Sequence, residues 1–158
     1  MLIQGKLLTN VDDLSEVLLI KQKVFVEELG YRINDLSNEE QLSMYVIVYE
    51  EDPSWKENQI SKKAVATGRL YFDGENCEIA DVAVLSDYRN KKYGDFAVRM
   101  LLNKAFTSGI NTVRLTTPIQ TIDFFKSIGF QKLHHDSSHE DVCRMIIQIK
   151  DVITKCSR

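Results

Sequence analysis

Cysteine is scarce in this chain and unpaired. The 158 residues hold three, Cys77, Cys143 and Cys156, an odd number with no close spacing, which excludes a disulfide framework and offers no zinc-ligand pattern. Apolar runs are short: none approaches the roughly 20 residues that a membrane span needs. The opening MLIQGKLLTN lacks a signal peptide's long apolar region and small-residue cleavage site, so it reads as a first strand and the expected location is the cytoplasm. Positive charge is not in excess either. A formal net charge of -3 does not suggest a nucleic-acid binder, in which a large positive balance normally supplies the phosphate attraction. There is no repeat, linker or low-complexity tract. What remains is 44% apolar and 27% charged, enough to bury a core and short enough for one domain over residues 1–158.

The pattern alternates strand and helix. Residues 2–8 read as a strand. Asn10 and Asp13 are a candidate capping pair for a helix whose periodic positions run from Val11 to Leu29 and which Gly30 closes. Tyr31–Gln41 is polar and reads as loop or short irregular helix. Met44–Tyr49 is a buried strand; Glu50–Lys63, with Pro53, reads as a hairpin connection or exposed insertion. Lys63–Phe72 and Cys77–Leu85 are strands about an Asp73-Gly74 turn. Asp95–Ser108 is the clearest helix, Asn111–Thr116 a strand. Thr117-Pro118-Ile119-Gln120 has the form of a helix start, with Thr117 as cap and Pro118 at the first helical position, and that helix ends at Gly129. Phe130–His135 and Val142–Lys150 close the chain as strands around a polar Asp136–Asp141 hairpin loop. The order β-α-β-β-β-α-β-α-β-β implies a mixed sheet with helices on its faces.

Chemistry concentrates where the strand Val82-Ala83-Val84 runs through a polar, basic turn, Arg89-Asn90-Lys91-Lys92-Tyr93-Gly94, into an amphipathic helix beginning at Asp95. Such a junction presents unpaired helix N-terminal amides, and the nearby cations reinforce the field, which suits a diphosphate. Gly94 lets a ligand approach the backbone closely, and Asp95 suits the positive end of a helix. A solvated turn is the simpler reading of those charges. The glycines of a P-loop or a dinucleotide fingerprint are absent.

VAVLSDYRNKKYGDFAV resembles the central acetyl-CoA-binding motif of the GNAT superfamily of N-acetyltransferases: a V-A-V strand, a short turn, Arg/Gln-x-x-Gly-x-Gly/Ala, and a long helix. Arg89 and Gly94 stand on matching positions, and Lys92 replaces the first glycine. Ile119–Phe130 is similar to the family's A-x-x-F-Y-x-x-x-G-F helix, with Thr121 for the alanine and Phe125 for the tyrosine. Ala66-Thr67-Gly68-Arg69-Leu70 resembles its third strand. Lys21–Gly30 is similar to the R-x-x-V-F-V-x-E-Q segment of a bacterial branch that includes the ElaA-like group.

The resemblance implies a mixed α/β GNAT-like acyl-CoA N-acyltransferase fold, a central sheet flanked by helices, and acetyl-CoA as cosubstrate. It implies direct attack by the amine of a small molecule or peptide, without an acyl-enzyme. The implied cofactor residues are Val82, Ala83, Val84, Arg89, Asn90, Lys91, Lys92, Tyr93, Gly94, Asp95 and Phe125, with main-chain groups of the parted fourth and fifth strands holding the pantetheine arm and an amide near Val84 polarising the thioester. Glu78 and Asp81, six and three residues before Val84, are the candidate catalytic carboxylates. Strand alternation puts them on opposite faces unless a bulge intervenes. Either could equally be a strand-end acid or half of an ion pair. Phe125 has no proton for a thiolate, and Tyr88 and Tyr93 lie too early in the chain to replace the tyrosine. Glu27 and Glu28 fall where the acceptor pocket is shaped, though helix-end acids are commonly just exposed. His134, His135 and His139 have no organised ligand spacing around them, so no metal is expected. Cys143 alternates with apolar neighbours and reads as packed. A non-catalytic acyl-CoA-binding or regulatory domain is the alternative function, a cofactor-free structural protein the third. A homodimer is an expected assembly, since the family often pairs.

Overall fold

A computed structural model of the protein describes residues 2–32, 42–54, 59–73, 76–133 and 141–156. Within them the chain runs β1 (Leu2–Thr9), α1 (Ser15–Lys21) continued by a π-helical stretch (Gln22–Glu28), β2 (Ser43–Ser54), β3 (Gln59–Asp73), β4 (Asn76–Val84), a 3-10 turn (Ser86–Tyr88) and α2 (Tyr93–Thr107). It continues with β5 (Thr112–Pro118), a second 3-10 turn (Ile119–Thr121), α3 (Ile122–Ile128), β6 (Gln131–Lys132), β7 (Val142–Gln148) and α4 (Ile149–Cys156). The strands form one sheet of order β1-β2-β3-β4-β5-β7-β6. Among the described residues only the β4–β5 pair is parallel. That one parallel pair follows from α2, which crosses over between its two strands. This is the mixed sheet with flanking helices that the element order implied.

Each face of the sheet has its own core. Val98, Leu101, Leu102 and Ala105 of α2 are buried with Val46, Val48, Ala66 and Leu70. On the other face Val17, Ile20 and Val24 are buried with Ile47, Tyr49 and Ala83. A fully buried aliphatic side chain contributes about 1.5–3 kcal/mol, so both helices are held by packing. Among the described residues no helix is long and apolar enough to cross a membrane.

Several local expectations are corrected. The Glu50–Lys63 stretch is largely strand, because its charges complement each other across the ladder: Glu50 faces Lys63 and Glu51 faces Lys62. The first helix opens at Ser15 rather than at an Asn10–Asp13 cap, since Asp12 accepts from the Thr9 amide at 2.7 Å and Asp13 from the Ser15 amide at 2.9 Å. Thr117 and Pro118 are still in β5, opposite Cys143 and Val142, and α3 begins at Ile122. The last strand stops at Gln148, and α4 follows it. Gly129 does close α3, at φ 131°. Much of Tyr31–Gln41, the Asp73-Gly74 turn, the Asp136–Asp141 loop and His134, His135 and His139 lie outside the described residues.

Candidate functional site

The sheet opens at its centre. β4 and β5 are paired at one position, Glu78 with Arg114, and then diverge. Beyond it Ile79–Val84 and Leu115–Pro118 face one another across a cleft of about 1060 Å³. Inside a sheet those main-chain groups would bond a neighbouring strand. Here they are left for whatever enters.

A bulge in β4 sharpens the opening. Two steps along β3, Thr67 to Arg69, oppose three along β4, Ala83 to Ala80, and Asp81 carries the extra residue at φ 55°. The sequence alternation that separated Glu78 from Asp81 therefore breaks, and both carboxylates engage residues of the same stretch of β3. Glu78 accepts the Tyr71 hydroxyl, and Tyr71 stays protonated: burial, then the Glu78 bond and charge, push its pKa up to about 12. Asp81 accepts a hydrogen bond from Lys21 Nζ at 3.2 Å and forms an ion pair with Arg69 Nε at 3.1 Å. Asp81 lines the cleft, while Glu78 is not among its lining residues.

The basic turn forms the cleft's outer end. Asn90 and Lys92 both have positive φ, 61° and 67°. Successive amides in such a conformation point to one side as an anion cradle. Lys92 thus adopts the left-handed form a glycine would take, so its substitution leaves the turn geometry in place. The first intrahelical bond of α2 runs from the Phe96 amide to the Lys92 carbonyl at 3.0 Å, and the Tyr93, Gly94 and Asp95 amides precede it. A Cβ on Gly94 would lie 3.2 Å from Val84 and 3.3 Å from Phe124, so the glycine lets the two walls close around the helix start.

Side chains at this turn have partners of their own. Arg89 holds Glu28 through two bonds of 2.5 and 2.6 Å and donates to the Val84 carbonyl at 3.1 Å. The Arg89 bonds hold the Glu28 carboxyl below its usual range, and Glu28 raises Arg89 in turn. The guanidinium therefore fastens the end of the first helix to the turn and is not simply a free cation. Tyr93 is buried and donates to Glu50; burial and that bond push it up to about 12. Its main chain, not its ring, can serve the cleft. Asp95 pairs with Arg99 at 2.8 Å. Lys91 lies 5.5 Å from the Tyr88 ring and does not line the cleft. The other sequence-named cofactor residues, Val82–Val84, Arg89, Asn90, Lys92–Asp95 and Phe125, all do.

Phe125 is 6% exposed, edge-on to Phe124 at 4.9 Å and to Phe130 at 5.8 Å, a wall residue fixed by the core. Beside it Thr117 and Thr121 bring their hydroxyl oxygens to 2.5 Å. Sequence reasoning missed this pair, having read Thr117 as a helix cap. It allowed Asp81 an ion-pair partner without identifying Lys21 and Arg69 as that partner. The signal for that was present: an acid in an apolar strand and a lysine among the apolar positions of α1. Among the described residues no group of three His, Cys, Asp or Glu side chains could hold a metal.

An acyl-CoA fits these features: a slot between parted strands for an amide-bearing arm, and a cradle of amides at its mouth for a diphosphate. Comparisons with known proteins agree. Residues 16–130 match the acetyltransferase (GNAT) family. YyaT of Bacillus subtilis is 24% identical over 93% of this chain and 95% of its own. The Escherichia coli ElaA structure superposes with a TM-score of 0.72 at 18% identity, covering 93% of this chain and 100% of that one. An acyl-CoA N-acyltransferase from Pseudomonas aeruginosa gives 0.69 at 17%, covering 91% and 98%. At these identities the structural likenesses speak to the fold.

Proposed function

The chain belongs to the GNAT acetyltransferase family, whose fold serves acyl transfer from coenzyme A, and we propose that it moves an acetyl group from acetyl-CoA to an amine by direct attack. The observation that carries this reading is the split between β4 and β5, paired at one position and open beyond it. When bound, acetyl-CoA supplies an activated thioester carbonyl and a thiol leaving group. The main chain of Val82–Val84 would hold the arm and orient the carbonyl against a fixed amide. The Asn90–Asp95 turn would hold the diphosphate through amides, with Lys92 adding charge. Gly94 keeps the passage open, and Phe124 and Phe125 exclude water from its inner wall. Asp81 is the candidate carboxylate that meets the cleft, and its ion pairs with Lys21 and Arg69 fix it there as a positioning group rather than a free base. Glu78, committed to Tyr71, is the weaker candidate for base.

Phe125 favours one other reading, an acyl-CoA-binding domain without turnover, because the wall position has no hydroxyl. Release of free thiol from acetyl-CoA, followed across polyamines, amino acids, aminoglycosides, aryl amines and peptide N-termini, separates the two. Acceptor-dependent release is the expected result. Saturable coenzyme A binding with no release across the panel would replace the transferase reading with the regulatory one.

A further inference from the structure

Two threonines share the cleft wall with Phe125. Thr117, at the end of β5, is 4% exposed, and Thr121, at the start of α3, reaches solvent. Their oxygens are 2.5 Å apart, and Thr121 also lies 2.9 Å from the Pro118 carbonyl. A hydroxyl has one proton and can accept two bonds. In the resting arrangement Thr121 donates to Pro118, so Thr117 donates to Thr121 and its own lone pairs are left for the cleft. Turning both hydroxyl rotors reverses the chain: Thr121 then donates to Thr117, and Thr117 donates into the cleft.

Thr121 stands one helical turn before Phe125, so the two side chains share a face of the helix start. It also occupies the position where the family pattern has alanine. Of the other hydroxyls lining the cleft, Ser127 bonds the Phe124 carbonyl at 2.5 Å and Tyr93 bonds Glu50, while Thr116, Tyr88 and Tyr31 lack the threonine pair's linked geometry beside Phe125. The wall has thus lost a hydroxyl at 125 and holds a paired one at 117 and 121.

Resting on the acetyl-transfer reading, we propose that Thr117 and Thr121 form a hydroxyl relay that protonates the departing thiolate. The amine nitrogen forms its bond to the acyl carbon and the carbon–sulfur bond breaks, its electron pair leaving on sulfur. Thr117 gives its proton to that sulfur and takes one from Thr121, which is refilled from water. The attacking nitrogen's surplus proton goes to solvent, so protons balance and neither threonine ends charged. Thr117 is the catalytic donor, and Thr121 is a positioning and supply residue.

The test compares Thr117→Val, which keeps the buried shape, with Thr117→Ser and with Thr117→Val/Phe125→Tyr. Two quantities are read: kcat for thiol release, and the pKa of the thiol of bound coenzyme A, followed by thiolate absorbance against pH. Thr117→Val is expected to lower kcat on the order of 10²-fold, the low end for one positioned proton donor, with KM for acetyl-CoA little changed. It also raises the bound thiol's pKa, because a donor to the thiolate has gone. Serine restores both quantities, and the added tyrosine restores kcat. If Thr117→Val stays folded by circular dichroism and changes neither quantity, the relay is wrong while the transferase reading stands. If the natural protein binds coenzyme A but transfers nothing, the transferase reading fails and the thiol titration alone decides whether Thr117 donates to sulfur. Absence of coenzyme A binding overturns both.

Discussion

Gly94→Glu is the sharpest probe of the diphosphate cradle. The first added carbon would already stand 3.2 Å from Val84 and 3.3 Å from Phe124, tighter than ordinary contact, so the remaining side chain must turn toward the open cleft. There it places a carboxylate at the mouth where the amides converge. Two like charges about 6 Å apart at an effective dielectric of about 20 repel by about 2.8 kcal/mol. One such term raises Kd about 100-fold, and a diphosphate carries more than one charge. Gly94→Ala supplies the steric control. Its Cβ needs its neighbours to yield by a few tenths of an ångström, and alanine's helix preference of up to about 1 kcal/mol offsets that. Coenzyme A titrated into each variant by calorimetry should show a loss of at least about 100-fold for glutamate and a much smaller one for alanine. The glutamate loss should shrink in high salt. A folded Gly94→Glu protein with natural affinity would refute the placement of the diphosphate at this turn.

Lys92→Gly should stabilise the fold. A left-handed non-glycine residue costs about 1–2 kcal/mol and glycine's freer unfolded chain takes back about 0.4–1 kcal/mol, so Tm should rise by about 1–3 °C, read by differential scanning calorimetry. Glu28→Gln releases the Arg89 guanidinium and should tighten coenzyme A binding a few-fold at low salt. Since Arg89 holds the Glu28 carboxyl below its usual 4.5, the pair's stabilisation is complete above that pH and lost as pH falls through the lowered value; the two proteins' melting curves should converge there. Asp81→Asn keeps a side chain tolerant of positive φ but removes the charge between Lys21 and Arg69, 5% and 11% exposed. With Asp81 itself 26% exposed, the cost in urea unfolding should fall between the about 1 kcal/mol of a surface pair and the about 3–5 kcal/mol of a buried one, and an unchanged midpoint would mean the cluster does not hold the bulge.

The fold was legible because each face of each element carries its own periodic signal. Val17 and Val24 recur at helical spacing and pack on one face, and Leu101 and Ala105 do the same on the other. The basic turn was legible as an element for a different reason: a strand, a run of cations and a glycine mark it locally, and the diphosphate role proposed for it rests on main-chain groups. What escaped depends on pairing between distant residues. The Glu28–Arg89 clasp joins positions 61 apart in sequence, and the Lys21–Asp81 bridge 60 apart. No local pattern encodes either. The β4 bulge could be named as an exception to alternation but not placed, because it is defined by a count against β3, not by a residue type. Thr117 was misread because threonine before proline is a sound helix-start signal locally, and the ladder with β7 overrode it.

Backbone strain follows the same map. Among the described residues the non-glycine positions with positive φ are Asp81, Asn90 and Lys92, and all three line the cleft. Strained dihedrals persist only where surrounding structure over-determines them, and each of these has a different hold. Asp81 is fixed by two cations, and Lys92 by the first hydrogen bond of α2. Asn90 belongs to the residue type that tolerates this region best after glycine. Asp81 bends β4 away from the sheet's alternation, while Asn90 and Lys92 turn amides toward the cleft mouth. An apolar core alone would favour the relaxed backbone at all three, since none of them adds buried hydrophobic area. Their common result is a set of main-chain groups held clear of the sheet's own hydrogen bonding, which is what a ligand recognised chiefly by its amides and phosphates requires.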